Sequence, residues 1–174
     1  MNPHVLPGTL AQSTDGIYPS AGLPTRLGFP SRADFEIIYD ASGAAVAVTA
    51  LREFMRICRI CRASGHLLPY RSRHSRQLAP GIHVYDPDFC GLLRHSCDPN
   101  VFLDMSELWL WSLKDIHKGD SLTMDYVTTE DKLLQQFACQ CGTPNCRGWI
   151  TGYDEPPNAE GMLFLQRRHR RTPG

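Results

Sequence analysis

The 174-residue chain has no surplus of either charge: 18 lysines and arginines stand against 18 acids. A net charge of zero argues against generic attraction to nucleic acid or to an anionic membrane, since both draw on a basic surplus. No apolar run approaches the roughly 18 residues that cross a bilayer, and Met1 to Ser20 lacks a charged start followed by an apolar stretch. These absences predict an intracellular, cytoplasmic protein with no membrane partner. No internal repeat is present. Cysteine is odd in number, seven in all. A reducing compartment discourages disulfides, so spacing decides whether the thiols hold metal or fill the core. What is present is enough chain for one domain that buries roughly two-thirds of its unfolded surface.

Five prolines (Pro3, Pro7, Pro19, Pro24, Pro30) among Gly, Ser and Thr mark the first thirty-two residues as a loosely ordered arm, because they show no period of two or of 3.6. From Ala33 the pattern changes. Phe35, Ile37 and Tyr39 alternate with polar positions, Asp40-Ala41-Ser42-Gly43 supplies turn residues, and Ala44 to Thr49 resumes a β-compatible run, which predicts an opening hairpin. Leu51 to Pro80 carries seven arginines against Glu53 alone, whereas Asp86 to Asp131 carries ten acids against Arg94, Lys114 and Lys118. Neutrality is therefore the sum of two opposite regions that can attract each other within the fold. Leu108 to Leu113 and Ser121 to Val127 read as strands, and Thr128 with Asp131 as the cap of a short helix reaching Gln136. Arg167-Arg168-His169-Arg170-Arg171 reads as a solvated basic tail.

Cys139, Cys141 and Cys146 form a Cys-x-Cys-x4-Cys cluster bent by Gly142, Pro144 and Asn145. Zinc takes four ligands in a tetrahedron, and a Gly/Pro-rich knuckle lets the backbone curl around the ion. The fourth ligand can come from Cys58, Cys61, Cys90, Cys97 or one of the seven histidines. Cys97 stands out, because Arg94-His95-Ser96-Cys97-Asp98-Pro99-Asn100 is a polar, turn-forming stretch. Cys58 and Cys61 also make a Cys-x2-Cys, but no glycine or proline bends the chain there, and a packing role is expected for them and for Cys90.

Three segments occur in one order: Leu93 to Asn100, then Lys118-Gly119-Asp120-Ser121-Leu122-Thr123-Met124-Asp125-Tyr126, then the cysteine cluster continuing as Arg147-Gly148-Trp149. Together they resemble the SET-domain protein-lysine N-methyltransferases, with their Asn-His-Ser-Cys-x-Pro-Asn loop, their Gly-Glu-Glu-Leu-Thr-Phe-Asp-Tyr strand and their post-SET zinc knuckle. Gly65 to Ile82 is similar to the middle segment of short bacterial SET proteins. The resemblance implies a mainly β fold of small sheets with a knot-like threaded C-terminal segment. The corresponding organisation is an arm over residues 1–33, a SET domain over 34–136, a post-SET knuckle over 137–155 and a basic tail over 156–174.

The same resemblance implies methyl transfer from S-adenosylmethionine to an amine, usually a protein or peptide lysine. It makes Tyr126 the catalytic tyrosine, Arg94, His95 and Trp149 cofactor contacts, Cys97 the fourth ligand of a structural zinc beside Cys139, Cys141 and Cys146, and Asn100 an architectural pin. The insert between Phe54 and Ile82 is short, so the groove is expected to admit a flexible peptide or a small free amine. Two positions depart from the family's pattern. Arg94 stands where the family has Asn, and arginine accepts no hydrogen bond. Gly43-Ala44-Ala45-Val46-Ala47 keeps one glycine of a Gly-x-Gly. These departures define a second expectation of a different class, a catalytically silent, zinc-stabilised interaction module.

Overall fold

In the computed structural model, residues 15–20 and 22–171 are described. Residues 1–14, most of the first half of the proline-rich arm, lie outside the described residues, as do Ala21 and the last three. The alternating segment forms the expected hairpin, with strands β1 (Phe35–Tyr39) and β2 (Ala45–Ala50) antiparallel and Phe35 opposite Ala50. Its turn closes because Asp40 Oδ1 accepts from the Ser42 N–H at 2.8 Å and the Ala44 N–H at 3.1 Å, while Gly43 takes φ +80°.

Two three-stranded antiparallel sheets follow. One orders β3 (Arg59–Arg62), β9 (Trp109–Ser112) and β8 (Val101–Asp104); the other orders β4 (His66–Leu68), β6 (Ile82–Tyr85) and β5 (Ser75–Ala79). Two further pairs are two residues long: β7 (Arg94–His95) runs parallel to β10 (Thr123–Met124), and β11 (Phe137–Ala138) antiparallel to β12 (Trp149–Ile150). The shared core includes Val48, Phe89, Leu93, Leu103, Leu110, Leu122 and Met124. In it Phe35 stacks on Phe54 at 5.3 Å and meets Phe89 edge-on at 5.0 Å. Cys61 and Cys90 are buried in the same core as free thiols, and Cys58 is exposed. The two charge regions do meet: Arg59 pairs with Glu107 at 2.8 Å, and Arg71 pairs with Asp131.

Asp86 organises the approach to β7. It accepts from the N–H groups of Asp88, Phe89 and Cys90 at 3.1, 2.9 and 2.7 Å and from the Tyr18 hydroxyl at 2.7 Å. Burial raises its pKa, against the lowering effect of those donors. The bonds set up the 3-10 turn Cys90–Leu92, in which a Cβ on Gly91 would stand 2.0 Å from the Asp86 carbonyl oxygen. Only glycine fits there.

Two expectations are corrected, and a third, the solvated basic tail, is exposed as expected but helical. The later part of the arm is packed: Ile17 and Tyr18 are each 6% exposed, Gly16 bridges Ser31, and Tyr18 Oη also receives the Ser64 N–H at 3.0 Å. An aromatic with two polar partners in the core overrides the irregular backbone that proline imposes. The strand expected over Ser121–Val127 is confined to Thr123–Met124, because Asp125 accepts the Val127 N–H and turns Tyr126–Thr128 into a 3-10 helix; no helix follows to Gln136. The tail is helical, α1 (Ala159–Arg171), seated where Gly161 lies flat against the Trp149 indole and Phe164 meets it at 5.7 Å. Its arginines fall in the last turns, where the helix dipole favours cations.

Tyr18→Phe removes both partners of the hydroxyl and leaves the buried Asp86 short of a donor. Urea unfolding is expected to show a loss of about 1–3 kcal/mol; an unchanged midpoint would mean that this segment is not docked in solution.

Candidate active site and metal centre

The site forms where two distant stretches of chain run side by side. The parallel register sets Thr123 beside Arg94 and Met124 beside His95, and the Ser96 N–H donates to the Met124 carbonyl at 3.0 Å. Asn100 holds the crossing: its Oδ1 accepts the Thr123 N–H at 2.8 Å and its Nδ2 donates to the Ser121 carbonyl at 3.0 Å. An amide offers a donor and an acceptor together, which is what pinning a neighbouring backbone requires.

Tyr126 emerges at the end of this crossing. Its hydroxyl donates to the Leu93 carbonyl at 2.9 Å, and its ring lies 5.2 Å from the His95 ring and 6.1 Å from that of Phe137. Arg76 covers one face of the tyrosine, 4.7 Å from the ring centroid. The His95 side chain is buried, with Nδ1 3.7 Å from Asp125 and Nε2 3.5 Å from Cys97 Sγ. Burial pushes its pKa down to about 4, although Asp125 opposes the shift. The imidazole is therefore neutral near pH 7, and the Tyr126 N–H directed at Nδ1 leaves Nε2 as the protonated nitrogen facing the sulfur.

Cys97, Cys139, Cys141 and Cys146 come together with all four sulfurs within 4.8 Å of one another. The 3.8 Å between the sulfurs of Cys97 and Cys139 matches the edge of about 3.8 Å that a tetrahedron with metal–sulfur bonds of about 2.3 Å requires. Backbone N–H groups of Cys141 and Arg147 donate to the sulfurs of Cys139 and Cys97, both at 3.4 Å. The Thr143 hydroxyl pulls the Cys141 thiol down to about 5, while burial raises Cys139. Four half-buried sulfurs with amide donors around them can hold a zinc ion. Arg147 ties this knuckle to the tyrosine turn through Asp125 at 2.6 Å, and Arg168 of α1 donates to the Cys146 carbonyl at 3.0 Å.

Two cavities flank Tyr126. One, of 550 Å³, is lined by Arg94, His95, Ser121, Thr123 and the backbone side of Cys139 to Cys141; the other, of 420 Å³, by Arg71, Ser72, Arg76, Glu130 and Leu133. Tyr126 and Phe137 belong to both. The structure thus brings Arg94, His95 and Tyr126 to one cavity and the four cysteines to its edge. Trp149 is elsewhere, buried in β12 with its Nε1 donating to Gln136 at 3.0 Å, and neither cavity is lined by it or by the Gly43 turn. Sequence reasoning passed over Phe137 and Arg76. An aromatic next but one to the first cysteine was a readable signal; Arg76 was one of seven arginines in its segment and carried none.

A family model described as the SET domain matches residues 38–127. Methyltransferase flvH of Aspergillus flavus is 35% identical over 86 residues, covering 48% of this chain and 48% of the relative. The H3 lysine-9 specific histone-lysine N-methyltransferase dim-5 of Neurospora crassa is 33% identical over 78 residues, 33% of this chain and 24% of its own. The matched regions thus span about half or less of these relatives. Among solved structures, KRYPTONITE in complex with mCHH DNA, H3(1-15) peptide and SAH superposes with a TM-score of 0.51 at 22% identity, over 66% of this chain and 29% of that one. That likeness concerns the fold. No helix among the described residues is long and apolar enough to cross a membrane.

Metal analysis of the zinc-loaded protein is expected to give one ion per chain and Cys97→Ser much less, with chelation lowering the melting temperature. Full zinc content in Cys97→Ser would contradict a four-sulfur site.

Proposed function

The chain belongs to the SET-domain family, whose model spans residues 38–127, and we propose that it is an S-adenosylmethionine-dependent N-methyltransferase acting on a lysine side chain or a similar primary amine. The observation that carries this reading is the place of Tyr126, whose ring walls both cavities. A donor on one side and an amine on the other would approach the same tyrosine. Bound S-adenosylmethionine supplies a methyl carbon on a sulfonium: the nitrogen–carbon bond forms as the carbon–sulfur bond breaks, and sulfur keeps the electron pair as a thioether.

The residues have to orient and desolvate the amine. A free lysine with a pKa near 10.4 is about 3.4 units from half deprotonation at pH 7, roughly 4.6 kcal/mol. Burial between the Tyr126 and Phe137 rings lowers that cost, and the tyrosine hydroxyl, held on the Leu93 carbonyl, leaves its oxygen lone pairs to receive an N–H and aim the nitrogen. No strong base is needed, because the amine's proton can leave to solvent before attack. Neutral His95 adds no positive charge beside the sulfonium site. Arg94, on the 550 Å³ cavity, is suited to the donor's carboxylate, and the four cysteines to a structural zinc that fixes the wall carrying Phe137.

A second reading, a catalytically silent zinc-stabilised interaction module, is favoured by one observation: the Arg76 guanidinium already covers the Tyr126 ring. Calorimetry with S-adenosylmethionine on the zinc-loaded protein separates the two, and no binding in the high micromolar range would remove the enzyme. With binding in hand, Tyr126→Phe is expected to slow transfer by about 100-fold or to change the number of methyls added, with S-adenosylhomocysteine affinity nearly unchanged.

A further inference from the structure

The cavity on the far side of Tyr126 is walled by a cation that makes no ion pair among the described residues. Arg76 is 6% exposed. Its Nη1 donates to the Ser75 carbonyl at 2.9 Å and its Nη2 to the carbonyls of Leu93 and Gly91 at 3.2 and 3.4 Å, all neutral acceptors. Its Nε has no partner, and among the described residues no carboxylate is in ion-pair contact with it. Glu130 is the acid in its field. That carboxylate is engaged by the Gln77 N–H and the Thr129 hydroxyl, both at 3.1 Å, and its pKa is raised by burial, while Asp131 is taken by Arg71. Ser72 Oγ, on the same wall, is a second buried polar atom with no partner. Arg71 and Arg73 add two more cations to the lining. Buried charges are as a rule paired, and a buried polar atom without a hydrogen-bond partner calls for an explanation such as a bound group.

We propose that this cavity receives the carboxylate of a small amino-acid-like substrate, with the anion on Arg76 and the Ser72 hydroxyl and the primary amine directed past Tyr126 toward the donor cavity. The inference rests on the methyl-transfer reading and narrows its substrate. A peptide lysine would bring a second cation up to an arginine that no carboxylate contacts among the described residues, whereas a substrate carboxylate would give it an ion-pair partner and matches the planar guanidinium.

The test is calorimetric titration of the zinc-loaded full chain with 6-aminohexanoate and with 1-aminohexane, which share a chain length and differ in the carboxylate, each with and without S-adenosylhomocysteine. The aminohexanoate is expected to bind roughly tenfold more tightly, as one charge-assisted contact would give. Arg76→Met should abolish the preference and Ser72→Ala reduce it severalfold, with 1-aminohexane affinity unchanged in both. Ser72→Ala removes an oxygen with no hydrogen-bond partner among the described residues, so the test stands even if Arg76→Met fails to fold. Equal affinities for the two compounds, or a preference that survives Ser72→Ala in full, would overturn the proposal. Carboxylate preference without S-adenosylhomocysteine binding upholds the anion site and removes the methyltransferase; S-adenosylhomocysteine binding without preference does the reverse.

Discussion

Everything at the candidate site depends on two residues of parallel β-pairing, Arg94–His95 against Thr123–Met124. On its own such a pair is weak, since a backbone hydrogen bond contributes a net of about 1 kcal/mol. It holds because both segments are anchored on either side: Leu93, Leu122 and Met124 are fully buried, and Asn100 bonds the opposite backbone with both ends of its amide. The Tyr126 hydroxyl on the Leu93 carbonyl closes the same crossing from the far side. The proposed catalytic group is thus also a structural clasp, and its orientation follows from the crossing rather than from its own strand.

The cysteine knuckle extends this dependence outward. Cys97 belongs to the β7 loop and the other three sulfurs to the segment after Phe137, so a metal held by all four would join the wall of the 550 Å³ cavity to the wall shared by both cavities. Arg147 repeats the connection electrostatically through Asp125, and α1 repeats it through Arg168 and the Trp149 platform. Trp149, expected against a cofactor, is committed instead to carrying the terminal helix.

Two buried charges show opposite solutions. Asp86 collects three backbone donors and a tyrosine hydroxyl, which satisfies the oxygens of a carboxylate inside the core. Arg76 collects carbonyls only and the face of an aromatic ring. The first is complete in itself and serves the fold; the second makes no ion pair among the described residues and lines a cavity.

The β1–β2 hairpin was legible because alternation and an Asp-Ala-Ser-Gly turn are local, and the knuckle because three ligands in eight residues need no tertiary information. The packed second half of the arm was not legible: Ile17 and Tyr18 sit among prolines, and only contacts with Ser64 and Asp86, far along the chain, make them core. The terminal helix was hidden in the same way, since its apolar seat includes a tryptophan contributed by β12. The sequence by itself thus determined that Cys139, Cys141 and Cys146 lie at metal-ligand spacing and that a tyrosine, a histidine and an arginine are available to the proposed site. Cys97, singled out in the sequence by its polar loop, is brought within 3.8 Å of Cys139, 42 positions later, by the fold, and only the tertiary structure decided that Arg76 lies on Tyr126. The reason is physical: a chain's local pattern specifies periodicity and turns, whereas the pairing of a buried charge or a fourth ligand is chosen by whichever distant segment the core brings within reach.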